Sequence, residues 1–151
     1  MNLYLRTRVA ATPAEVWQGF TRELFVALAP PFPPFRLLRF DGCLRGDEVH
    51  LELGAGPLRQ RWTSLITDNG RTADGTFYFV DEGQELPAPL RYWQHRHLLQ
   101  PAPGGGTYIV EDLEYRTGSK LLDRLLWPAV WAQFAWRRPI YRRWFGGPAG
   151  S

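Results

Sequence analysis

The stretch Arg91–Tyr115, RYWQHRHLLQPAPGGGTYIVEDLEY, decides the fold. Aromatic and β-branched residues flank a cluster of prolines and glycines, Pro101-Ala102-Pro103-Gly104-Gly105-Gly106, which predicts two long strands joined by a turn. Alternate residues of a strand share a face. Trp93, His95, His97 and Leu99 therefore point one way, and Tyr92, Gln94, Arg96 and Leu98 the other. The chain's three histidines are His50, His95 and His97, so two of the three lie on one face of this hairpin. A turn centred on Pro101–Gly106 sets His95 opposite Asp112, His97 opposite Val110 and Trp93 opposite Glu114. On the other face it sets Arg96 opposite Glu111, Leu98 opposite Ile109 and Tyr92 opposite Tyr115. An Arg–Glu cross-strand pair suits a solvated face, which favours Trp93, His95, His97 and Asp112 as the concave face. Leu98, Ile109 and Leu113 argue the other way.

Upstream of the hairpin the chain reads as strands and turns. Phe35–Phe40 and Glu48–Leu53 are strands. Leu58–Thr67 is a third, with Trp62, Ser64 and Ile66 on one face. Asp68-Asn69-Gly70 predicts a hairpin turn. Thr72–Asp81 follows as a strand with Phe77, Phe79 and Asp81 on one face, and Glu82–Leu90 reads as a loop. Before these, Asn2–Val9 is a first strand. Thr12-Pro13-Ala14-Glu15 has the composition of a capped helix start, and Val16, Trp17, Phe20, Leu24 and Leu28 continue it at helical spacing. Pro30, Pro31, Pro33 and Pro34 end it. Downstream, Ser119 caps a segment that reads as one long helix to Phe145, kinked at Pro128 and Pro139.

The chain has 151 residues, 44% hydrophobic and 15% aromatic, with seven tryptophans. That suits one packed domain, assigned here to residues 1–146 with a tail at 147–151. No apolar run reaches the roughly 18–20 residues of a membrane span, and the first residues lack the apolar segment of a secretion signal. A cytoplasmic location is expected. The net charge of +3 is too small to argue for nucleic acid. The single cysteine, Cys43, excludes an internal disulfide and is read as a strand-end residue. Sequential strands with short turns form an antiparallel meander, and its apolar face needs a cover that only the C-terminal helix can supply. The expected fold class is α+β, a curved antiparallel sheet of about seven strands gripping a long C-terminal helix, with a short N-terminal helix. A gap between them lined by Trp, Phe and Leu would be a ligand cavity.

The order of elements, together with Val9–Phe20 (VAATPAEVWQGF), resembles the START-like, helix-grip superfamily, also called SRPBCC. The segment from Phe79 to Tyr115 is similar to one bacterial branch of it, most of whose members have no assigned function. Its pattern falls here on Asp81, Pro89, Trp93, His95, His97, Thr107, Asp112 and Tyr115. Leu90 and Leu99 stand where that pattern has Phe. The resemblance implies the helix-grip fold. It leaves open whether the protein binds a lipid, a polyketide or another hydrophobic molecule, or acts on one.

Three readings of His95 and Asp112 follow. They form a structural imidazole–carboxylate pair; or they recognise a ligand with His97 and Asp81; or Asp112 orients His95 for acid–base catalysis. A metal could be shared by His95 and His97 with Asp81 or Asp112 as third ligand. Nothing in the sequence requires one, so no metal and no cofactor is expected. The ligand-contacting set expected is Trp62, Phe77, Phe79, Asp81, Trp93, His95, His97, Tyr108, Asp112 and Phe134, with His95 and Asp112 as catalytic candidates. The leading expectation is a binding protein for a small hydrophobic molecule, with no nucleic-acid partner. A cyclase- or dehydratase-type enzyme is the first alternative. A membrane- or protein-docking module using the C-terminal Arg/Trp segment is the second. Phe32–Phe35 and Glu82–Leu90 are candidate lids.

Overall fold

The computed structural model of the chain describes residues 1–147; the tail expected from 147 onward otherwise lies outside them. Strand β1 (Asn2–Val9) leads into helices α1 (Pro13–Gly19) and α2 (Arg22–Ala27). Strands β2 (Phe35–Phe40), β3 (Glu48–Leu53), β4 (Gln60–Arg71), β5 (Phe77–Glu85), β6 (Tyr92–Pro101) and β7 (Thr107–Arg116) follow. Helices α3 (Lys120–Ala135) and α4 (Arg137–Phe145) complete the chain. The seven strands form one antiparallel sheet in the order β1-β7-β6-β5-β4-β3-β2. This curved sheet, with the C-terminal helices across it, is the architecture expected from the sequence. Among the described residues no helix is long and apolar enough to cross a membrane.

Local chemistry explains the helix boundaries. The capping box forms as predicted: Glu15 N–H donates to Thr12 Oγ1 (3.3 Å) and Thr12 N–H to Glu15 Oε2 (2.7 Å). The expected single N-terminal helix is instead two, because a second cap interrupts it; Thr21 Oγ1 accepts from Leu24 N–H at 3.4 Å. Gly19 at the break lets α1 lie against α4, since a Cβ there would sit 2.3 Å from the Phe145 ring. The C-terminal helix also divides. Pro128 is accommodated within α3, on its exposed face. The break falls at Trp136, beside Ala135, whose carbonyl the ring of Pro139 would crowd four residues on.

Two turns depart from expectation. β4 runs straight through Asp68-Asn69-Gly70, pairing Asn69 with Phe79 and Gly70 with Tyr78. The chain reverses later, where Thr72 N–H donates to the Thr76 carbonyl (2.9 Å) and the Asp74 carboxylate accepts from Thr76 N–H (3.1 Å). The reversal at Asp74-Gly75 falls inside the stretch expected as a strand, and it lets Thr63–Arg71 of β4 pair with Phe77–Glu85 of β5. β5 then extends through Glu82–Glu85, which was expected as loop. In the β6–β7 hairpin the loop is five residues rather than six. Pro101 pairs with Thr107, and Ala102 N–H donates to the Gly106 carbonyl at 3.0 Å. Gly106 sits at φ 81°, and a Cβ on it would lie 2.3 Å from the Val9 carbonyl oxygen, so only glycine closes the loop against β1. The odd loop shifts every cross-strand partner by one residue. His95 now pairs with Leu113, Arg96 with Asp112, His97 with Glu111, Trp93 with Tyr115, Leu98 with Val110 and Tyr92 with Arg116.

Two apolar clusters bracket the middle of the concave face. One joins Leu99 and Ile109 to Val9, Val16, Leu24, Tyr141 and Phe145. The other joins Trp93 and Leu113 to Leu3, Tyr115 and Phe134. The Tyr115 hydroxyl donates to the Asp123 carbonyl (2.6 Å), and Thr117 N–H to the Asp123 carboxylate (2.7 Å), which pins the start of α3 to the end of β7. At the far end Ala10 and Ala11 N–H donate to the Gly146 and Phe145 carbonyls (2.9 and 3.0 Å), pinning the end of α4 beside β1. The helices therefore cover the β1–β7–β6 side of the sheet at both ends.

Candidate functional site

On β6, His95 and His97 lie between Trp93 of one cluster and Leu99 of the other; on β7, Glu111 lies between Leu113 and Ile109. A polar group thus fills the gap between two dry regions. His95, His97 and Glu111 are 3%, 7% and 2% exposed. Glu111 is its centre. Its Oε2 is 2.6 Å from His95 Nε2 and 3.4 Å from His97 Nδ1. Its Oε1 accepts from the Tyr141 hydroxyl at 2.7 Å and from Arg137 Nη1 at 3.4 Å. Phe134, Arg137 and Tyr141 reach this point together because residues three and seven apart share a helix face, and the short break at Trp136 leaves that alignment intact.

The electrostatics follow from this packing. Burial works to raise the Glu111 carboxyl, but Arg137, His95 and His97 together outweigh it and hold the group well below the usual carboxylate range. Burial, reinforced by His95, pushes His97 well below its ordinary 6.5, so it is a neutral imidazole. Burial and Glu111 push the Tyr141 phenol well above 10. Asp81 pairs with His95 across β5 and β6; burial raises its pKa, partly offset by His95, the Ser64 hydroxyl and Arg137. Ser64 in turn accepts from Trp62 Nε1 at 2.9 Å.

Five polar atoms in this group are inaccessible and lack a hydrogen-bond partner among the described residues: Asp81 Oδ1, His95 Nε2, His97 Nδ1, Glu111 Oε2 and Arg137 Nε. The contact between His95 Nε2 and Glu111 Oε2 is close at 2.6 Å, but the oxygen lies off the direction of a ring N–H. Leaving such atoms unsatisfied costs about 1–3 kcal/mol each.

The group opens on a cavity of about 150 Å³. Asp81, His95, His97 and Arg137 form its polar wall. Trp62, Phe79, Trp93 and Phe134 line it too, as do Phe20, Leu24, Val49 and Leu51. Trp62 and Trp93 meet edge to face with ring centroids 4.7 Å apart, and Phe79 stacks on His97 at 4.1 Å. Cys43, read as a plain strand-end residue, also lines the cavity; burial, with Asp47 and Asp81 nearby, pushes its thiol up to about 12.

Of the ten residues expected at the site, seven line this cavity: Trp62, Phe79, Asp81, Trp93, His95, His97 and Phe134. Three do not. Phe77 lies on the expected face but stacks on Trp17, ring centroids 5.6 Å apart, in the neighbouring apolar cluster. Tyr108 is on the opposite face, under the Arg6 guanidinium 4.1 Å away. Asp112 is also on that face, paired with Arg96. The expected His95–Asp112 pair is corrected to His95–Glu111, a consequence of the one-residue change in register. Glu111 and Arg137 were not foreseen. The inward spacing Phe134, Arg137, Tyr141 is the signal that could have shown Arg137. Of the two candidate lids, Phe32–Phe35 borders the cavity through Pro33 and Phe35, while Leu86 and Leu90 of the other pack against the Trp93 cluster. In the C-terminal segment Arg137 turns inward, whereas Arg142, Arg143 and Trp144 are exposed.

No known family profile matches the chain, and no curated protein does. Solved structures do. Norcoclaurine synthase from Thalictrum flavum, in complex with dopamine and hydroxybenzaldehyde, aligns with a TM-score of 0.60 at 14% identity, covering 89% of this chain and 82% of that one. The Zhui aromatase/cyclase from Streptomyces sp. R1128 aligns with a TM-score of 0.58 at 16% identity, covering 95% and 94%. Protein Ms6760 from Mycobacterium smegmatis aligns with a TM-score of 0.57 at 18% identity, covering 94% and 91%. At these identities the likeness concerns the fold alone, a helix-grip arrangement of curved sheet and C-terminal helix.

Proposed function

We propose that the protein binds a small, largely apolar molecule bearing one polar end, in the cavity between the sheet and the C-terminal helices. The carrying observation is a largely aromatic and aliphatic lining into which the polar groups of Asp81, His95, His97 and Arg137 converge. Ligand sites are commonly apolar pockets with a few convergent polar groups. A volume near 150 Å³ suits a molecule of roughly one ring, and an aromatic compound is favoured over a long-chain lipid or a polyketide on that ground. The one-ring molecules held by norcoclaurine synthase, dopamine and hydroxybenzaldehyde, are apt first probes. Trp62 and Trp93 supply the readout, because a ligand between them alters their fluorescence. Saturable quenching by hydroxybenzaldehyde, lost when Leu51→Trp fills the cavity, supports this reading. No saturable change, together with no small molecule extracted from the purified protein and detected by mass spectrometry, overturns it.

An enzyme of the cyclase or dehydratase kind is the second reading, favoured by the 2.6 Å contact of His95 with Glu111 behind the cavity wall. His95 would be the acid–base group, with Glu111 rather than Asp112 orienting it. Turnover of a bound ligand that His95→Gln abolishes without abolishing binding distinguishes this reading from binding alone.

A further inference from the structure

We infer that Asp81, His95 and His97 form a binding site for one divalent transition-metal ion in the cavity wall. Each offers a ligand atom, and these atoms all lie within 4.8 Å of one another. Side-chain rotation closes such a set onto a cation at about 2.0–2.2 Å per bond. The three come from paired strands, Asp81 opposite His95 on β5 and β6, with His97 two residues along on the same face. Sheet hydrogen bonds therefore fix their spacing, rather than a loop. All three face the cavity, while Glu111 does not line it. Glu111 Oε2 approaches one ring nitrogen of each imidazole, His95 Nε2 at 2.6 Å and His97 Nδ1 at 3.4 Å, in the place of an outer carboxylate that orients ligating histidines; the ion would then take the other nitrogens, His95 Nδ1 and His97 Nε2.

A second observation points to a missing positive partner. Asp81 Oδ1, in the cavity wall, is buried and unpartnered among the described residues. A buried carboxylate oxygen without a donor is what a cation satisfies. Arg137 lines the same wall, with Nη1 3.4 Å from Glu111 Oε1 and Nε buried without a partner among the described residues. Asp81 is then the anion of the wall. Two imidazoles and one carboxylate favour zinc, iron(II) or cobalt(II) over calcium or magnesium. Three protein ligands on one side leave the cavity side open to the polar end of a bound molecule.

The test uses tag-free protein stripped with a chelator, then titrated with zinc alone by calorimetry and with cobalt(II) alone by visible absorption. One equivalent is taken up, and the cobalt spectrum shows the bands of a nitrogen- and oxygen-ligated ion. Asp81→Asn and His97→Gln each weaken uptake by about tenfold or more. In the unmutated protein, long-range nitrogen–proton spectra show zinc shifting the ring nitrogens of His95 and His97 and leaving His50 in place. That measurement decides the matter if a variant does not fold. No saturable uptake, uptake unchanged in both variants, or a shift confined to His50 overturns the site. None of these readouts involves an aromatic probe, so failure here is separate from failure of the ligand-binding proposal.

Discussion

Glu111 and Asp112 are adjacent acids on one strand, and each faces a cation or imidazole from β6. Glu111 is almost fully buried against His95, Arg137 and Tyr141. Asp112 is on the other face, paired with Arg96, whose side chain is 54% exposed. The two pairs differ by one step along the strand and by everything that water does. On the outer face solvent screens the charges, so the pair is dispensable. On the inner face each partner depends on the others, because none of them can return to water.

The sharpest way to break this contrast is Glu111→Ala. It leaves the Arg137 guanidinium and the Tyr141 hydroxyl buried without their acceptor, and should cost about 3–5 kcal/mol in urea unfolding. Tyr141→Phe removes one donor to Glu111 Oε1 while keeping the ring, and should cost about 1–3 kcal/mol in the same measurement. A loss as large as that of Glu111→Ala would show that the hydroxyl, rather than the guanidinium, holds the carboxylate.

Cys43 extends the comparison to alkaline pH. Its thiol is pushed up from 9.0 to about 12 in the folded protein. The unfolded chain releases this proton above about pH 9, and the folded protein does not. The contribution is thus complete below pH 9 and declines as pH rises toward 12. Unfolding free energies measured on either side of pH 9 should fall more steeply for the unmutated protein than for Cys43→Ala. Equal slopes would place the thiol in water. The smallest effect belongs to Asp112→Asn, below about 1 kcal/mol. A larger cost would mean that the outer pair is not the screened contact its exposure implies.

The fold was legible because its signals are local and redundant. Alternation in β6 and β5 placed Trp93, His95, His97, Phe79 and Asp81 on one face, and the Thr12–Glu15 box and Ser119 marked helix starts that the structure contains. The errors came at the turns. Asp68-Asn69-Gly70 was read as a turn and Asp74-Gly75 as part of a strand, and pairing between β4 and β5 reversed both. Pro101 was counted into the loop but pairs with Thr107 as the last residue of β6.

The sequence alone determined the sheet, its helical cover and the two histidines on the concave face, because period and capping are properties of neighbouring residues. Which acid faces those histidines was decided only by the tertiary structure. Strand register depends on how a glycine loop closes against β1, and a shift of one residue exchanges the faces of Glu111 and Asp112. The same is true of Arg137. Its place in an arginine-rich helix end reads as solvated until packing turns Phe134, Arg137 and Tyr141 toward the sheet, where Glu111 is the charge that meets it.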